Sequence, residues 1–121
     1  MSDISVIERP GQRRVLQIQT DDSILLLNED HIVYCGRVDK GMVFHMQGGE
    51  DIPANLHFQH MIDLAGSHRL IRVHHSYFIN AAHIFCYHKG SSGYVEMKDK
   101  SKVPVDDAFS GKLIGLLYRN S

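Results

Sequence analysis

Between Leu70 and Asn80 the chain sets Arg72, His74, His75 and Ser76 inside an otherwise apolar segment. The stretch begins as a strand. Ile71 and Val73 point to one face, while Arg72 and His74 point to the other. The histidines and Ser76 then break the pattern, Tyr77-Phe78-Ile79 restores an apolar run, and Asn80 closes it. Polar and charged groups this close to a core need hydrogen-bond partners or a ligand. Whatever fold forms must tie these side chains down or present them to something.

The remaining chain reads as short apolar runs separated by turn residues. Val15–Gln19, Ser23–Leu27, His31–Cys35, Met42–Met46, Ile84–His88, Tyr94–Lys98 and Val103–Val105 are strand candidates. Gln47-Gly48-Gly49-Glu50 and Lys89-Gly90-Ser91-Ser92-Gly93 are tight turns. Pro104 cannot donate to a ladder, so the last strand belongs at an edge. Pro53 and Asn55 read as a helix start, with Phe58, Met61, Ile62 and Ala65 forming one apolar face and Gly66 ending it. Asp106-Asp107 reads as the cap of a final helix, with Phe109, Leu113, Leu116 and Leu117 on one face. The fold class expected is mainly β: about eight short antiparallel strands and two short helices. Residues 1–14, with Pro10, Gly11, Arg13 and Arg14, read as a flexible N-terminal arm, and residues 15–121 as one domain.

Charge narrows the function classes. Lys and Arg total 13 against 14 Asp and Glu, for a net charge of −1. A nucleic-acid reader on this chain needs a local basic patch, because the chain as a whole is not basic. No segment approaches the roughly 18 apolar residues of a membrane span. Met1-Ser2-Asp3-Ile4 lacks the basic-then-apolar pattern of a signal peptide. Cys35 and Cys86 fit no metal spacing and read as reduced thiols, which points to the cytoplasm. No nucleophile elbow, phosphate loop or HExxH motif is present, so the chain reads as a non-enzyme without a cofactor.

The segment Arg72-Val73-His74-His75-Ser76-Tyr77-Phe78-Ile79-Asn80 resembles the signature of LytTR-type DNA-binding domains of bacterial transcriptional regulators. The resemblance extends through Ile84, the turn 90–93, Tyr94–Met97 and Val103-Pro104-Val105. Upstream it takes in Asp30–Cys35 and the segment from Asn55 to Leu64. It implies an elongated stack of short antiparallel β-sheets. It also implies a function, the reading of promoter repeats through loops in the major groove. The implied partner is double-stranded DNA, with a homodimer on repeated half-sites.

Candidate DNA-binding residues follow. Arg37 and Lys40 lie on a glycine-flanked loop, a solvated tip on its own reading and a DNA-reaching loop by the resemblance. His75 occupies the position that faces DNA in the family. An imidazole there can donate or accept at a base edge or a phosphate. Arg72 either contacts a phosphate or anchors the turn internally. His74 is a contact candidate by the resemblance, although its residue type and place suggest a hydrogen-bonded histidine beside the sheet. Lys102, with Lys98 and Lys100, adds charge near the last strand. One departure stands out. Where family members carry Ser and then a DNA-contacting Arg, this chain has Asp106 and Asp107, and a carboxylate cannot make the bidentate contact Arg makes with guanine.

Two other functions compete with a stand-alone DNA-binding regulator. The Asp pair and the near-neutral charge fit a protein-interaction module on the same fold, with weak or lost DNA binding. The nine histidines invite a metal or haem sensor, but no spacing supports one and no metal ligands are assigned. There is no receiver region in this sequence. Input would come from a membrane inhibitor, a separate signalling protein, self-association or a domain outside this sequence.

Overall fold

The computed structural model describes residues 3–119. Eleven strands and two α-helices are present among them. The strands form three antiparallel sheets, which is the mainly β architecture the sequence predicts. No helix among the described residues is long and apolar enough to cross a membrane.

The first sheet holds β1 (Asp3–Arg9), β2 (Gln12–Gln19) and β3 (Ile24–Asn28), in that order. This corrects the flexible arm. Met1 and Ser2 lie outside the described residues, but 3–14 form a hairpin turned at Gly11, whose φ is +78°. The reason is burial. Ile4 pairs with Ile18 across the hairpin, and both are sealed in the core with Leu16 and Leu27. Arg14, read as part of the arm, donates to Glu29 at 2.6 Å and to the Ser67 carbonyl at 2.6 Å. Glu29 is 1% exposed, and its second oxygen accepts the Arg69 amide at 3.1 Å. The buried carboxylate is therefore paired and hydrogen-bonded, as burial of a charge requires.

The central sheet has five strands: β4 (Ile32–Val38), β5 (Gly41–Met46), β6 (Asp51–Ala54), β7 (Leu70–His74) and β8 (Tyr77–Asn80). Their order is β6-β5-β4-β8-β7. The third sheet holds β9 (Ile84–His88), β10 (Tyr94–Met97) and β11 (Lys102–Pro104), with β11 at the edge that Pro104 requires. The expected helix from Pro53 is also corrected. Pro53 lies in the edge strand β6, opposite Val43, where a missing N–H costs little. Helix α1 spans only Phe58–Asp63, and Ala65 has left it to bridge to His68. Helix α2 spans Asp107–Arg119 as its apolar spacing predicts. The strands beyond the predicted eight are β1, β6 and the division of the Leu70–Asn80 stretch into two.

Two cores lie on opposite faces of the central sheet. On one face Phe44, Phe78, Cys35 and Leu70 meet the first sheet and Phe58 and Met61 of α1. On the other, Val33, Val73 and Ile79 meet Val95, Met97 and Val103 of the third sheet and Leu113 of α2. A fully buried side chain such as Phe78 contributes roughly 1.5–3 kcal/mol relative to exposure. Cys35 and Cys86 are free thiols, and burial pushes the Cys35 thiol far up. Asn80 is buried and acts as a cap. Its amide donates to the Ile32 carbonyl at 2.9 Å and its oxygen accepts the Ala82 N–H at 3.1 Å.

Candidate nucleic-acid interface

The break in the Leu70–Asn80 pattern is a turn: His75 and Ser76 alone connect β7 to β8. Three elements hold it. From β4, the Arg37 amide donates to the Ser76 carbonyl at 2.8 Å, and the Arg37 guanidinium donates to the His75 carbonyl at 3.3 Å. From β7, Arg72 donates to the carbonyls of His74 and His75, both at 3.2 Å. From the start of α2, Asp106 accepts the His75 amide at 2.9 Å. β4 can come this close because residue 36 is glycine. A Cβ there would stand 2.6 Å from the Tyr77 ring.

Both guanidiniums rest on aromatic rings. Arg37 lies 4.5 Å from the centre of Phe58, and Arg72 lies 5.3 Å from Phe58 and 4.9 Å from Phe109. Such contacts hold a cation in place while leaving its outer edge open. Arg72 is half-buried and serves the turn from within, whereas Arg37 is exposed. Lys40 is exposed at the tip of the β4–β5 loop. The same loop forms one wall of a groove lined by Arg37, Asp39 and Gly41, with His57, Phe58 and Gln59 opposite. Gly41 is required there: its φ is +142°, and a Cβ would meet the Ala54 carbonyl at 2.3 Å.

The two histidines converge on one carboxylate. The His75 Nδ1 lies 2.7 Å from Asp106 Oδ2, and the His74 Nε2 lies 3.3 Å from Oδ1. The rings stack with centres 4.1 Å apart. The His75 side chain is 67% exposed, against 17% for His74. Hydrogen bonds from the His75 side chain and amide hold the Asp106 carboxyl below its usual range. Burial, helped by the neighbouring His75 and Arg72 charges, pulls His74 below the ordinary histidine value despite Asp106.

These groups resemble a metal-ligand triad, since three ligand atoms lie within 4.8 Å of one another. The hydrogen bonds argue for a different use. His74 Nδ1 accepts the Ser76 amide at 3.0 Å, so the ring proton sits on Nε2, the atom a metal would need bare. Metal-binding histidines donate from their second nitrogen, and His74 accepts there instead.

The structure thus gathers Arg37, Arg72, His74 and His75 around one turn, with Lys40 on the adjacent loop. Lys102 stands apart on β11, its amine 5.5 Å from the Tyr94 ring. Asp106, read from sequence only as a helix cap and a departure, is the centre of the cluster. Phe58 and Phe109, read only as apolar helix faces, support the guanidiniums. No linear spacing reveals these roles, because Asp106 lies 31 residues from His75.

The fold is thus a stack of antiparallel sheets with one edge built from a pinned turn and a loop that carry both cations and carboxylates. The sequence model of the LytTr DNA-binding domain family matches residues 22–117, and the chain belongs to that family. A solved structure with a similar fold is described as the LytTr DNA-binding domain of a methyl-accepting/DNA response regulator from Bacillus cereus. It is 21% identical, with a TM-score of 0.68, and the match covers 85% of this chain and 95% of that one. No curated protein matches the chain.

Proposed function

We propose that this domain is a sequence-specific transcriptional regulator that reads promoter repeats, as a dimer on repeated half-sites. The β7–β8 turn and the β4–β5 loop enter the major groove. His75 meets a base edge, Arg37 and Lys40 meet phosphates or bases, and Lys102 adds charge along the flank. Arg72 and His74 hold the turn from behind. The observation that carries this reading is the turn itself. Its backbone is pinned by Arg37, Arg72 and Asp106, while the His75 ring stays exposed. A fixed scaffold carrying an exposed hydrogen-bonding side chain is what base readout needs.

Selection from random and genomic promoter DNA, followed by gel shift across a salt series, tests it. The expected result is a repeated motif bound with Kd near roughly 10⁻⁸ M or better, and a steep loss with salt. A second reading is favoured by Asp107 standing where the family's DNA-contacting Arg is expected: a protein-interaction module on the same fold. Sequence-indifferent binding no tighter than about 10⁻⁵ M would support that module and sink the regulator.

A further inference from the structure

The Asp106 carboxylate is turned toward the β7–β8 turn, and its effect is on the chemistry of His75. A neutral imidazole has one donor nitrogen and one acceptor nitrogen. An ionised carboxylate only accepts. Asp106 Oδ2 receives the His75 amide at 2.9 Å and the His75 Nδ1 at 2.7 Å. The ring proton of neutral His75 is therefore on Nδ1, a tautomer assigned by the network. Neighbouring bonds agree. His74 Nδ1 is taken by the Ser76 amide at 3.0 Å, so His74 presents a proton from Nε2 to the other carboxylate oxygen. Oδ2 of the carboxylate thus accepts two N–H groups of His75, and the His74 Nε2 stands 3.3 Å from Oδ1. It cannot accept the His75 proton without losing that arrangement. Stacking on His74, with 28° between the rings, fixes the plane of the exposed imidazole.

We infer that Asp106 sets which base His75 reads: by holding the Nδ1 proton it leaves Nε2 as a bare acceptor, matched to the exocyclic amino group of adenine or cytosine. This rests on the DNA-binding reading above. In the major groove adenine N6 and cytosine N4 donate, while guanine N7 and O6 and thymine O4 accept. A bare Nε2 forms a hydrogen bond with the first pair and sets lone pair against lone pair with the second. Every base pair presents one amino group in the major groove, so the readout selects adenine or cytosine on the contacted strand. Without Asp106 the imidazole can take either tautomer and accept any base. Asp106 is then a positioning residue for specificity that also costs affinity, because its charge repels phosphates. A purely structural role would not move affinity and specificity in opposite directions.

The test combines two readouts on the intact domain at about pH 8, above the ordinary imidazole range. First, ¹⁵N NMR of the histidine rings reports which His75 nitrogen carries the proton. Second, fluorescence anisotropy measures binding to the selected motif with all four bases placed at each position. Wild type, His75→Ala, Asp106→Asn and Asp106→Ser are compared after their melting temperatures show that each is folded. His75→Ala should flatten one position that prefers adenine or cytosine by roughly fivefold, the scale of one hydrogen bond. Asp106→Ser should flatten the same position and tighten binding to random DNA. Asp106→Asn, whose side-chain oxygen still accepts, should keep the preference. A proton on Nε2, or an unchanged preference in Asp106→Ser, overturns the inference while leaving DNA reading intact. A wild type that enriches no motif overturns the DNA reading itself and the inference with it, and the NMR result still shows whether the tautomer was assigned correctly.

Discussion

One aspartate serves two histidines at the β7–β8 turn. One histidine serves two aspartates where the central sheet meets the third. There His45, on β5, places Nδ1 2.6 Å from Asp51 and Nε2 2.9 Å from Asp99. Ser101 adds a contact at 3.3 Å, and Tyr34 stacks on the ring at 4.9 Å. The ratio of partners sets the charge. At the turn, Asp106 is held ionised and His74 is drawn toward its neutral form. At His45, burial lowers the pKa, but the hydrogen bonds to Asp51 and Asp99 more than offset it and the net shift is upward. Donating from both nitrogens requires the imidazolium. The first cluster draws the half-buried His74 ring toward neutrality and leaves the His75 ring at the surface. The second uses a charged ring to fasten β5 and β6 to the β10–β11 turn.

The largest expected effect comes from breaking that clamp. His45→Gln removes charge-assisted bonds and leaves two carboxylates facing each other. It should cost about 1–3 kcal/mol in a denaturant titration near pH 6. The sign with pH is set by the raised pKa. The His45 contribution is fully present below the ordinary value of 6.5 and is lost as pH climbs through the raised folded value. The gap between wild type and His45→Gln should therefore narrow toward pH 9. A constant gap would mean packing on Tyr34, not charge, holds the two sheets together.

Asp107→Arg tests the other cluster's side. It removes a negative charge beside Asp106 and restores the residue type the family resemblance expects. DNA affinity should rise about tenfold, and the salt slope should steepen by about one phosphate contact. No gain would mean that the start of α2 does not approach DNA. Arg37→Ala should weaken DNA binding about five- to tenfold with little change in melting temperature, because its side chain is exposed and its backbone amide still donates to the Ser76 carbonyl. Unfolding instead would make Arg37 a structural residue.

The smallest effect is on acid stability. The depressed Asp106 carboxyl contributes stability present above the ordinary value of 3.8 and lost as pH falls through the folded value. Asp106→Asn should flatten that part of the acid limb in a thermal melt series. Asp99, also depressed, should leave its own share in place. An unaltered acid limb would place the depression elsewhere.

The strands of the central and third sheets other than β6 were legible because each alternates or runs apolar between turn residues. Helix α2 was legible from its apolar spacing. The first hairpin was not read, although Ile4-Ser5-Val6 alternates, because the basic residues after Pro10-Gly11 suggested a solvated arm. Arg14 is instead the partner of a buried carboxylate, and that pairing spans 15 residues. Pro53 signalled a helix start and sits in a strand, because an edge strand tolerates a missing donor.

The sequence by itself determined the class of the fold, the position of the polar turn and the candidates Arg37, Lys40, Arg72 and His75. The fold class and the turn follow from local period and turn chemistry, and the candidates from the resemblance to LytTR-type domains. Only the tertiary structure decided what each candidate is free to do. Asp106 reaches the β7–β8 turn because β11 and α2 pack against β7 and β8, and no spacing along the chain encodes that approach. The same packing seats Arg72 between Phe58 and Phe109 and leaves Arg37 and His75 at the surface. A side chain's charge and tautomer depend on which groups surround it in space, and for this turn those groups come from four separate elements.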